Sequence, residues 1–164
     1  MTTASPLFGA AVTVTVTLAS LASSATFTVG RQSTLLDQKD TDDAIDVMLG
    51  GKVTTGTSPT SNAQIRIHAI GTYDDVTFTA GAGATDAGLT PDDPSLLPLA
   101  WIIPVSSTSN KSYRWGPVSL LRVFRSLVLP AQWGVWITHN CGAALHATAG
   151  NHEVKYMPVK FESA

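Results

Sequence analysis

Apolar and polar residues alternate along much of the chain. Val12, Val14, Val16 and Leu18 are separated by Thr13, Thr15 and Thr17, a period of two that puts one set of side chains on each face of a strand. The same period recurs where Ile45, Val47 and Leu49 alternate with Asp46 and Met48, and where Ile65, Ile67 and Ala69 alternate with Arg66 and His68. Short β-prone segments at 25–29, 135–138, 144–148 and 153–161 extend the pattern. Residues 96–105 form a nearly continuous apolar run broken by Pro98 and Pro104, as in a strand covered on both sides or lying at a contact. Residues 118–128 fit a strand or a short helix equally. Turn chemistry separates the segments: Gly50-Gly51, the stretch 56–62, and Tyr73-Asp74-Asp75.

No long amphipathic helix competes with this pattern, and eight or nine short strands predict an all-β fold, an antiparallel β-sandwich of jelly-roll type. Residues 1–8 read as an N-terminal arm and residues 9–164 as one sandwich domain, a size that buries a full core. Residues 81–94, rich in Gly, Ala and Asp, have no period and predict a long exposed loop. Residues 7–25 are apolar enough to suggest a leader, but the first basic residue is Arg31 and the alternation is that of a strand. The Thr content also speaks against a membrane helix.

Composition sharpens the picture. Charged residues are 13% of the chain and hydrophobic residues 44%, against about 25% charged in ordinary globular proteins. Between Pro94 and His152 there are four bases (Lys111, Arg114, Arg122, Arg125) and no acid. Such a stretch makes a poor free surface and points to cover by neighbours. Residues 1–93 hold ten acids and four bases (net −6), while residues 94–164 hold two acids and six bases (net +4). This asymmetry suits head-to-tail contact between copies. Leu97, Trp101, Ile103, Trp115, Arg122, Arg125, Trp133 and Trp136 are the candidate interface residues.

Candidate chemistry is thin. The cluster Asp37, Asp40, Asp42, Asp43 and Asp46 lacks the glycine and closing glutamate of a calcium loop and reads as a solvated acidic loop. His139, Cys141, His146 and His152 could supply zinc ligands, but no paired spacing is present. A single cysteine forms no internal disulfide and reads as a small buried hydrophobe. No Gly-x-Ser-x-Gly elbow occurs, and Gly81-Ala82-Gly83 lacks the helix and lysine of a phosphate loop. The expectation is a protein that is not an enzyme, with no cofactor and no metal. Net negative charge also argues against dedicated nucleic-acid binding.

The stretches 17–23, 30–33 (Gly-Arg-Gln-Ser), 52–59, 67–74 and 133–145 (Trp-Gly-Val-Trp-Ile-Thr-His-Asn-Cys-Gly-Ala-Ala-Leu) together resemble a small virion structural protein of tailed bacteriophages. That resemblance implies a non-catalytic β-sandwich packed in many copies in a particle, as a head decoration (cement) protein or a neck or tail component. It implies assembly in the host bacterial cytoplasm and contacts with virion proteins such as the major capsid protein. Self-association, with a trimer favoured, follows from the apolar acid-free stretch. The alternative expectation is a carbohydrate-binding module of a phage tail, using Trp115 or Trp136 with the acidic loop.

Overall fold

The computed structural model describes residues 4–38, 44–72, 74 and 79–163. The strands are β1 (Ala4–Phe8), β2 (Val12–Thr13), β3 (Gly30–Gln32), β4 (Leu36–Asp37), β5 (Asp46–Thr54), β6 (Ala63–Thr72), β7 (Ala87–Leu89), β8 (Leu99–Val105), β9 (Ser112–Ser119), β10 (Gln132–His139) and β11 (Glu153–Ser163); helix α1 spans Leu120–Phe124. One sheet has the order β1-β11-β5-β9, with β2 also on β11. The other has the order β7-β3-β10-β6-β8, with β4 on β10. Every pairing is antiparallel, and the two sheets face each other across one main core as an all-β sandwich.

The alternation read from the sequence explains the core. Val47, Leu49 and Val53 of β5, Ile65, Ile67 and Ala69 of β6, and Trp133, Val135 and Ile137 of β10 are buried in one cluster. Trp133 meets Tyr156 of β11 edge to face, ring centroids 5.2 Å apart, so the widest side chain ties the sheets together.

The pairings have a simple rule. β1 with β2 forms one line along β11, β3 with β4 forms another along β10, β5 pairs β9 and β6 pairs β8. Counting these lines in chain order, with β7 set aside, the first pairs with the last, the second with the seventh, the third with the sixth and the fourth with the fifth.

Several expectations are corrected. Residues 4–8 are an edge strand on the end of β11, although the side chains of residues 5–8 remain exposed. The alternating segment 12–18 is a regular strand only at β2. Beyond it, Val14 N–H donates to Val154 O while Thr15 O accepts from Thr34 N–H, so the chain crosses from one sheet to the other with Val14 and Leu18 still in the core. Residues 25–29 form turns, and of 144–148 only Leu145 pairs, in an isolated bridge to Thr55. Residues 118–128 divide into the end of β9 and α1. Ser119 accepts from Arg122 N–H at the helix start, and Asp46 accepts from Ser119 Oγ (2.6 Å) and Leu121 N–H (3.0 Å), a capping arrangement that starts a helix.

The largest correction is at 81–94. Rather than a free loop, residues 79–97 form a strap over the outer face of the second sheet. Trp136 lies between Val135 and Ile137 of the inner row, and it packs with Leu35, Ile70, Ala82 and Leu97 in a second cluster. Its Nε1 donates to Leu89 O. Gln32 donates from Nε2 to Gly83 O (2.8 Å) and Thr85 O (2.6 Å) and accepts from Gly83 N–H. Arg31 pairs with Asp86 at 2.5 Å. A segment with almost nothing of its own to bury is fixed by groups that lie elsewhere in the sequence.

Candidate functional site

The structure divides the eight interface candidates. Leu97, Ile103, Trp115, Trp133 and Trp136 are buried in the chain's own core and present no surface to a partner. Strand parity is the reason for four of them: Ile103 of β8, Trp115 of β9 and Trp133 of β10 face the main core, and Trp136 of β10 faces the strap, to which Leu97 itself belongs. Trp101, Arg122 and Arg125 are exposed. The same acid-free segment supplies Leu96, Leu99 and Ile102, within the 96–105 run read as a contact, and Leu127 and Val128, which the sequence reading did not place at an interface. With Trp101 they make six of the twelve exposed large hydrophobics among the described residues. Leu127 is 95% exposed.

These residues have a common frame. β8 is the edge of its sheet among the described residues, so one side of its backbone has no neighbouring strand there. Between the start of β8 and α1 runs a groove of about 740 Å³ with Leu99, Ala100, Val123 and Phe124 in its walls and Arg122 and Arg125 at its border. Neither arginine forms an ion pair among the described residues, where the pairs are Arg31 with Asp86 and Lys155 with Glu153. The arrangement suits apolar contact with a partner that brings carboxylates to the arginines.

A second groove of about 640 Å³ crosses the first sheet, floored by main chain at Gly50, Gly51 and Gly116 and walled by Met48, Met157 and Pro117. At Gly116, φ is +79° and a Cβ would come within 2.5 Å of Leu49 O, which only glycine avoids.

No family model, curated protein or solved structure matches the chain.

The function of this protein therefore rests on its own chemistry. The histidines named as possible ligands have other partners. His139 Nε2–H donates to Leu21 O (3.0 Å) while its Nδ1 accepts from Cys141 N–H. His152 donates to His146 O, and His146 accepts from Thr148 N–H. Burial pushes the Cys141 thiol up to about 11, far from the thiolate a nucleophile or metal ligand needs. No group of three or more His, Cys, Asp or Glu side chains is gathered as a metal site among the described residues. Asp46 of the acidic cluster caps α1; Asp40, Asp42, Asp43 and Asp75 lie outside the described residues. No helix among those described is long and apolar enough to cross a membrane.

Proposed function

We propose that the protein is a non-enzymatic structural component of a tailed-bacteriophage virion, a head decoration (cement) protein that stabilises the particle through contacts with its own copies and with the major capsid protein. The observation that carries this reading is the apolar, acid-free strip along the β8 edge and the α1 groove. Exposed aliphatics concentrated there, with two unpaired arginines, are costly for a lone soluble molecule and useful for one covered by neighbours.

The fold is compatible. Eight strand lines in which the first pairs with the last and the fourth with the fifth follow the order of a jelly roll, an architecture of viral capsid and lectin domains. β7 is then an insertion between the fourth and fifth lines. Copies associate as a closed oligomer, with a trimer favoured, through the apolar, acid-free strip. The protein assembles in the cytoplasm of the host bacterium. Trp115 and Trp136 are buried and offer no stacking face, so a carbohydrate-binding reading on those residues has no site.

Particle incorporation tests the proposal. Leu99→Lys with Ile102→Lys changes only exposed side chains of the strip and leaves a folded protein. The unaltered chain is expected to copurify with particles in fixed stoichiometry, and the double variant to be lost from them. Equal incorporation of both, or absence of the unaltered chain from particles, would overturn it. Sedimentation showing a stable monomer at micromolar concentration would count against the trimer.

A further inference from the structure

On the outer face of the second sheet, beside the strap, lies a pocket of about 270 Å³ lined by Phe27, Arg66, His68, Ser95, Leu97 and Leu99, with Thr26 and Pro94. His68 is 7% exposed. Its Nδ1 is 3.1 Å from Leu97 O, and a carbonyl only accepts, so the proton sits on Nδ1 and Nε2 carries a lone pair. That Nε2 has no hydrogen-bond partner among the described residues. Burial and the neighbouring Arg66 charge, against the Leu97 bond, keep the ring neutral by lowering its pKa.

Arg66 supplies the second half. Its guanidinium lies 3.7 Å from the centre of the Phe27 ring, and Nε and Nη2 both donate to Gln64 Oε1. No carboxylate pairs with it among the described residues, and Nη1 is left without a partner there. Asp93, next in the chain to the lining residue Pro94, accepts from Ser95 N–H (2.8 Å) and Ser95 Oγ (2.7 Å). A stacked, partly buried cation with no counter-charge among the described residues and an imidazole nitrogen open to the pocket with no donor there thus line one small cavity, whose aliphatic walls are Leu97 and Leu99.

We propose that this pocket binds one acidic sugar ring, a uronic acid unit, with the carboxylate on Arg66 and a ring hydroxyl donating to His68 Nε2. The guanidinium matches a carboxylate, the fixed tautomer demands a donor, and the leucines cover the C–H face of the ring. The cavity is smaller than the roughly 300–1,000 Å³ that encloses drug-sized ligands, which restricts it to a single ring. This site does not rest on the virion reading, although Leu99 belongs both to its wall and to the β8 strip.

Titration of the isotope-labelled full chain with D-glucuronate, followed by NMR of the His68 ring and the Arg66 Nε–H, tests it. Glucuronate should shift both signals saturably in the millimolar range, with glucose and acetate each at least about tenfold weaker, since each supplies only one of the two contacts. Arg66→Gln and His68→Gln should each weaken glucuronate by about tenfold or more. Unmoved ring signals of His139 and His152 verify that each variant is folded. No shift with glucuronate, an equal response to acetate, or unchanged affinity in Arg66→Gln would each overturn the assignment.

Discussion

Three histidines sit neutral inside this fold, and their protonation sets a limit on its pH range. Burial is the main cause of the lowered pKa of His68, His139 and His152, opposed in each by a bond to a backbone carbonyl. In the unfolded chain each titrates near 6.5, so the unfolded state takes up more protons as pH falls through that value. The stability they contribute is therefore complete above about pH 6.5 and is lost as pH drops toward their lower folded-state values. Urea midpoints should hold from pH 7.5 to about 6.5 and fall from there to pH 5, and His139→Asn should flatten that fall. An unchanged slope in the variant would contradict the assignment. Glycine makes an equally local demand at Gly30, where a Cβ would lie 2.4 Å from Ile137 O and 2.8 Å from the Trp136 ring. Gly30→Ala should cost about 1–3 kcal/mol, measurable by denaturant unfolding. At this scale the sequence reading was weakest. It recognised Trp133 and Trp136 as important, but the partition between surface and interior depends on strand parity and on what covers the outer row, which composition does not contain.

Among the elements, the strap over Trp136 departs furthest from what the chain's local pattern suggests. Residues 81–94 offer little apolar area and no period, and both facts remain true in the folded protein. What holds them is the pairing of β7 with β3 and the side chain of Gln32, about fifty positions earlier, together with Arg31 and the indole of Trp136. Long-range side-chain to backbone bonds leave no periodic trace in the segment they fasten. Gln32→Ala leaves Gly83 N–H and two carbonyls without their partner and should cost about 1–3 kcal/mol. Hydrogen exchange should rise selectively in residues 82–89, with increased solvent quenching of Trp136 and no change in β5 or β11. Uniform loosening of the whole chain would show instead that the strap is part of one cooperative unit. β5, β6 and β10 were legible because one buried face imposes a strict alternation over several residues. β9 was not, since Tyr113 and Trp115 alternate with Ser112 and Arg114 only until Gly116-Pro117 breaks the period, and α1 was ambiguous because five residues are too few to display a helical period.

For the molecule as a whole, the all-β class and the antiparallel sandwich follow from the alternation of short apolar runs with turn residues, and the order of strands within each sheet does not. The acid-free stretch was visible in the sequence as a composition. That it ends as a free edge beside a groove depends on β8 being last in its sheet. The pairing rule also ranks the two termini. β1 lies at an edge with exposed side chains, so removing residues 1–8 should leave a cooperative transition and a native far-UV spectrum. β11 runs between β1 and β5 and buries Val154, Tyr156 and Val159, so a chain lacking residues 153–163 should be insoluble or unfolded. A folded product of that second truncation would refute the ranking. The same rule has a temporal side. During synthesis, with β7 again set aside, the fourth and fifth lines, β6 and β8, are the first of the eight to find each other, and each later pair adds strands progressively farther apart in the chain. The first sheet lacks β11, the strand that joins β1 and β2 to β5, until residues 153–163 have left the ribosome. Until then β5 and the N-terminal strands have open sides, a prolonged exposure that places the main hazard of this fold in its making, when a chaperone or dilution matters most.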